Sequence, residues 1–191
     1  MQGKHAVTSN TVDNLVLDAG VLFFNYGEVD ETQIGATRGG STWNLNRSVR
    51  KMGADGARGP IKGMSRIESV APTLQINVLE MTKANLLQFI AGHSVDEVSN
   101  ATHDLITGKE IDTTDYVKNV ALLATISGSA KPVIVVIKNA LAEGDWSLQL
   151  QDKNEATPSV TFGAHFDPSD INETTGAWPE PWEVRYPKSL A

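Results

Sequence analysis

Four stretches of this chain alternate apolar and polar side chains with a period of two, and that pattern restricts the fold more than any other feature. Successive side chains of a strand point to opposite faces, so such a stretch buries one face and leaves the other to solvent or to a partner. Thr42 to Lys51 sets Trp43, Leu45 and Val49 against Asn44, Asn46, Ser48 and Arg50, and Thr73 to Leu79 sets Leu74, Ile76 and Val78 against Thr73, Gln75 and Asn77. Asp145 to Gln151 repeats the device with Trp146, Leu148 and Leu150, and Ser159 to Phe166 with Val160, Phe162, Ala164 and Phe166. Two further runs, Val117 to Ile126 and Val133 to Ile137, are apolar on both faces and rich in β-branched residues, with turn chemistry at Ser127-Gly-Ser-Ala-Lys-Pro132 between them. They are expected to form a hairpin in the middle of the core.

A helical period occurs once. Thr82 can cap it, Ala84, Leu87, Phe89 and Ile90 supply one stripe, and Gly92 sits where a left-handed stop belongs. Asn139 to Gly144 reads as a turn or a short helix. With no strand–helix–strand rhythm, the expected class is mainly β: an antiparallel β-sandwich or barrel with one flanking α-helix. At 191 residues and 40% hydrophobic, the chain can bury one sizeable core. The expected organisation is a flexible N-terminal arm over 1–16, one domain over 17–176 and an extended C-terminal arm over 177–191. In that last arm Trp178-Pro-Glu-Pro-Trp182 carries two prolines that cannot donate into a sheet.

Several kinds of chemistry find no support. There is no cysteine, so disulfides and thiolate metal sites are excluded. The first ten residues lack the apolar core of a signal peptide. The longest apolar runs, Val120 to Ala124 and Val133 to Ile137, are five residues each, far below the roughly 20 that a spanning helix needs, so no membrane insertion is expected. His5, His93, His103 and His165 lie in separate segments without the spacing of a helical metal pair. His165-Phe-Asp167 places an imidazole and a carboxylate on one strand face, but no third ligand accompanies them. Asp167-Pro-Ser-Asp170 reads as a proline turn, since it lacks the later glycine and closing glutamate of a calcium loop. Gly53-Ala-Asp-Gly-Ala-Arg-Gly-Pro-Ile-Lys-Gly63 is not a phosphate-cradling loop, because Lys62 precedes Gly63 and no serine or threonine opens a helix there. No nucleophile elbow occurs either. No catalytic residue, metal or cofactor is expected, and the protein is expected not to be an enzyme.

Charge is segregated along the chain. Between Arg38 and Arg66 stand seven basic residues and one acid, against nine basic residues and twenty-two acids elsewhere. Five of the seven are arginines, whose planar fork suits fixed pairing with carboxylates. A net charge of −7 argues against general duplex binding, and stacking aromatics are scarce in the window, which holds only Trp43. The remaining reading is that the positive segment of one copy meets the acidic surface of another. Such a head-to-tail contact closes into rings or stacks into filaments.

The ordered series Gly35-Ala-Thr-Arg-Gly-Gly40, Arg47 with Arg50, Asp55-Gly-Ala-Arg-Gly-Pro60 with Lys62-Gly63, Arg66-Ile-Glu68, Phe162-Gly-Ala-His-Phe-Asp-Pro-Ser-Asp170 and Pro181-Trp-Glu183 resembles the major tail tube proteins of long, non-contractile-tailed bacteriophages. The likeness runs from about Leu17 to Val184. It implies the fold shared with contractile-tail and type VI secretion tubes, and hexameric rings stacked around a tape measure protein. It also implies tail tip or initiator and terminator proteins at the ends, a place in the virion after synthesis in the host cytoplasm, and a bore that conducts double-stranded DNA without specific binding. The resemblance also implies a long inter-strand loop between early strands that carries ring-to-ring contacts and maps to Lys51 through Arg66; with the basic window, Arg38, Arg47, Arg50, Lys51, Arg58, Lys62 and Arg66 are the expected subunit or ring contacts. An acidic protein suits a slipping wall, and Thr73, Gln75 and Asn77 are candidates to line it.

Two other classes fit parts of the sequence. One is a small nucleic-acid-binding module using the 38–66 segment, which predicts a steep loss of affinity with salt. The other is a glycan-binding or hydrolase β-sandwich of a tail tip, with Trp178, Trp182 and the carboxylates around Asp167 as its site.

Overall fold

The computed structural model of the chain describes residues 7–8, 10–97, 102–172, 174–176 and 178–188. Ten strands and one α-helix build it: β1 (Val16–Phe24), β2 (Thr32–Gln33), β3 (Thr37–Lys51), β4 (Ser65–Val78), α1 (Lys83–Phe89), β5 (His93–Asp96), β6 (Leu105–Gly108), β7 (Val117–Ile126), β8 (Val133–Glu143), β9 (Ser159–Gly163) and β10 (Trp182–Arg185). The ladders are antiparallel and run in the order β2-β1-β7-β8-β9-β4-β3, with β10 also on β8 and with β5 and β6 paired apart. The protein is therefore mainly β with one helix, the class that the alternation predicts. Of the expected N-terminal arm, residues 1–6, His5 among them, and residue 9 lie outside the described residues, as do 177 and 189–191 of the C-terminal arm.

Strand β8 belongs to both halves of this sheet. One of its edges pairs with β7, while the other carries β10 from Ile134 to Ile137 and then β9 from Leu141 to Glu143. The change of neighbour falls at Asn139, which takes φ +46, a conformation that asparagine tolerates better than most residues. Asn139 to Glu143 is thus strand and not the expected turn or short helix, because pairing with β9 outweighs local propensity.

The two layers enclose Leu22 and Phe24 of β1, Leu74, Ile76 and Val78 of β4, Val117 and Val120 of β7, Ile137 and Ala140 of β8, and Val160 and Phe162 of β9, with Ile34 and Phe89. Phe24, Phe89 and Phe162 pack with ring centroids 5.7 to 6.3 Å apart, tilted or edge-on as aromatic quadrupoles prefer. Phe89 brings the helix to this cluster. Thr82 caps α1, its Oγ1 accepting from the Asn85 N–H at 3.1 Å, and Gly92 at φ +67 follows its end. The buried stripe is Asn85 with Phe89, four residues apart, while Ala84 is exposed. Asn85 is held in the core because its Nδ2 donates to the Ile34 carbonyl at 2.6 Å.

Asp145 to Gln151 forms no strand, against the alternation. Gly144, at φ +85, turns the chain away after β8, and the segment has no strand beside it. Trp146 packs partly on the core, but Leu150 is 77% exposed. The C-terminal arm does more than extend: Trp182 to Arg185 form β10, and Trp182 packs on Trp43 with centroids 5.8 Å apart.

Candidate assembly surface

Strands β3 and β4 form one long ladder whose inner half is covered and whose outer half is not. On β4, Pro72, Leu74, Ile76 and Val78 are buried against the core. Beyond them, every residue from Arg47 to Lys51 on β3 and from Ser65 to Ser69 on β4 is exposed, so the two strands leave the body as a ribbon. Its register pairs Ser48 with Ser69, Val49 with Ile67, Arg50 with Arg66 and Lys51 with Ser65. The Met52 N–H donates to the Met64 carbonyl at 2.9 Å and adds one further rung. The expected Lys51–Arg66 loop is therefore shorter than predicted: Lys51, Ser65 and Arg66 are strand, and only 52–64 is the connection. At the other end β3 starts at Thr37, before the expected Thr42, by way of a bulge at Gly39 and Gly40 with φ +86 and +81. Left-handed backbone of that kind favours glycine.

The ribbon gathers six of the seven expected contact residues. Arg47, Arg50, Lys51 and Arg66 stand on its strands, and Arg58 and Lys62 in its connection. Among the described residues, Arg47, Arg50, Lys51, Arg58 and Lys62 form no ion pair. Arg66 donates only to the neighbouring Gly63 and Ser65 carbonyls, at 3.1 and 2.9 Å. Arg50 and Arg66 face each other across the ladder, an arrangement that like charges disfavour. The seventh residue stands apart. Arg38 lies at the body end of β3 and pairs with Glu155 at 2.5 Å. The Glu155 carboxyl is held below its ordinary range by its own backbone N–H first and by that guanidinium second.

The sequence missed the apolar part of this surface. Val49, expected on the buried side with Trp43 and Leu45, is 46% exposed, and its cross-strand partner Ile67 is 55% exposed. Alternation signals a strand face but not whether anything covers it, so no pattern in the sequence could have separated Val49 from Leu45.

Thr73, Gln75 and Asn77 occupy the face of β4 opposite the core. Register places Thr42 and Thr161 beside Gln75, Asn44 beside Thr73, and Ser159 beside Asn77, and Glu143 of β8 continues the row beyond Thr161, so the face combines neutral polar side chains with one carboxylate. Gln75 donates to the Ser159 hydroxyl at 2.8 Å and Asn77 to the Gly40 carbonyl at 3.3 Å.

The other candidate groups have structural partners. Asp167 accepts from the Ser169 hydroxyl and N–H, which keep its carboxyl below the usual range, and it caps a single 3-10 turn. His165 lies 3.3 Å from Glu143 and 3.2 Å from the Asn139 carbonyl, at the kink in β8. Trp178 packs edge-on against Phe166 with centroids 5.8 Å apart. Among the described residues, no group of three His, Asp or Glu side chains could hold a metal ion, and no helix is long and apolar enough to cross a membrane. No protein-family model matches the chain, and no curated protein matches it in sequence.

Proposed function

We propose that this protein is a structural, non-enzymatic subunit of a bacteriophage tail tube. Copies assemble into hexameric rings that stack around a tape measure protein, between an initiator at the tip and a terminator, and double-stranded DNA passes through the bore in the virion. The observation that carries this reading is the ribbon: a projecting two-stranded arm with six cations that find no carboxylate among the described residues. An isolated two-stranded ribbon is marginal in water, so a chain that extends one gains most when something covers it. The rest of the molecule carries a large excess of acid, which makes another copy a suitable partner. A permanent contact of this kind buries on the order of 2,000 Å².

The face around Thr73, Gln75 and Asn77, with Glu143 beside it, suits a bore. Duplex DNA carries about one negative charge per 1.7 Å, and each phosphate met by a cation adds grip that transport must break. Threonine, glutamine and asparagine present no such charge.

Reversal of Arg58 and Arg66 to Glu leaves a folded subunit, because neither side chain pairs with a carboxylate among the described residues. Negative-stain imaging and sedimentation are expected to show dispersed particles for that variant and tubes or rings for the parent. Full-length tubes from the variant would remove the ribbon from the interface.

A further inference from the structure

A second uncovered surface lies on the first strand and the turn before it. Val12, Leu15, Val16, Leu17 and Val21 are all exposed, and Leu17 and Val21, whose cross-strand partners are Thr125 and Leu123, share one face of β1. The segment is fixed in place. The Ser127 N–H donates to the Leu15 carbonyl and the Gly128 N–H to the Asp13 carbonyl, both at 2.9 Å, and the Ser127 hydroxyl bonds to Val12. Gly128 sits so close that an added Cβ would lie 2.5 Å from the Asp13 carbonyl oxygen. On its outer edge β1 meets β2 only at Phe23 and Phe24, and among the described residues no strand pairs with Leu17 or Val21 on that edge.

Two acids, Asp13 and Asp18, flank these side chains, and neither forms an ion pair among the described residues. The strip is thus the chemical counterpart of the ribbon. One is aliphatic with unpaired carboxylates, the other aliphatic, at Val49, Ile61 and Ile67, with unpaired guanidinium groups. Exposed apolar clusters rimmed by charge mark interaction sites, and opposite rims set register and partner choice. We infer that the β1 strip is the surface on which the ribbon of a second copy docks. The contact runs through side chains and does not extend the sheet. Asp18 and Gly20, at φ +68 and +75, put a bulge in β1 that interrupts its free edge. Because strip and ribbon are different patches, the contact is heterologous and leaves one of each free until a ring or stack is complete. This inference rests on the proposal that copies meet through the ribbon, and it names the other half of that contact.

The absence of cysteine allows a direct test. Two single-cysteine variants, Leu17→Cys and Ile67→Cys, one carrying a size tag, are mixed under assembling conditions and oxidised, so that a mixed disulfide forms only between copies. Bridging needs Cα atoms within about 7 Å, and the mixed product is expected to form at least about tenfold faster than from Ile67→Cys with the exposed control Leu150→Cys. In parallel, Asp13→Lys is expected to reduce assembly at least about tenfold, and Arg58→Glu in the same chain to restore part of it. Normal assembly of both cysteine variants without faster cross-linking than the control overturns the docking site and leaves the ribbon contact standing. Unimpaired assembly of Asp13→Lys overturns it as well, whereas assembly of the Arg58→Glu, Arg66→Glu variant removes the proposal beneath it.

Discussion

Arg50→Glu is expected to stiffen the free ribbon while it weakens assembly, two effects of opposite sign from one side chain. Arg50 faces Arg66 directly across the ladder and, among the described residues, forms no ion pair. Directly opposed pairs shift strand stability by roughly 0.2–1 kcal/mol, against for like charges and in favour for opposite ones, so the reversal adds about 0.5–1 kcal/mol to the ribbon after allowance for its full exposure. The ribbon opens without the body, so the gain belongs to its local opening and not to the global melting temperature. With RT near 0.59 kcal/mol, that is a slowing of about twofold to fivefold in amide hydrogen exchange at residue 50 and Arg66, whose N–H groups point into the ladder, measured on unassembled protein at low salt. Removing one partner of a desolvated charge pair costs about 2–5 kcal/mol, which lowers association by a factor of about thirty to several thousand. Raising the salt to about 1 M shortens the screening length to about 3 Å and should bring the exchange rates of parent and variant together. Faster or unchanged exchange in the variant, joined to normal tube formation, would refute both the register and the role given to the ribbon.

Two further outcomes test the body of the fold. Asn85→Ala leaves the wholly buried Ile34 carbonyl without its donor and is expected to cost about 1–3 kcal/mol in chemical denaturation; a loss under about 0.5 kcal/mol would show that the bond does not hold the helix to the core. Asp112 is held well below the usual carboxylate range by the Lys109 ammonium first and the Thr114 hydroxyl and N–H next. A depressed carboxyl contributes stability that is present above its ordinary value of 3.8 and is lost as pH falls through the folded value, so melts taken from about pH 5 down to about pH 2 should fall less steeply for Asp112→Asn than for the parent. Parallel slopes would exclude Asp112 from the acid response.

Much of the architecture was legible because burial and pairing coincide in its central strands. Leu74, Ile76 and Val78 alternate with Thr73, Gln75 and Asn77, and the structure buries the first set completely. Where the two properties part, the pattern misleads. Asp145 to Gln151 alternates as cleanly but follows a left-handed glycine and finds no partner edge, whereas Asn139 to Glu143 carries a kink and is still recruited by β9. The glycine and arginine run before Glu68 reads as loop, yet Ser65 to Glu68 is strand, since a ladder satisfies its backbone without burying its side chains. The basic window itself was visible as composition. Its division was not: Arg38 is separated from the rest by an ion pair with a residue 117 positions away.

The pairing of Val16 with Ile126 and Phe24 with Val120 sets an order of events during synthesis. Strand β1 is translated early; β2 reaches only its Phe23 and Phe24, and the rest waits until about two thirds of the chain exists before β7 arrives, a delay typical of topologies dominated by distant contacts. Through that interval its aliphatic residues are free to stick to any passing nascent strand. The backward-bent residues at Asp18 and Gly20 make β1 a poor template for such a stray, so the same irregularity protects the unfinished molecule on the ribosome.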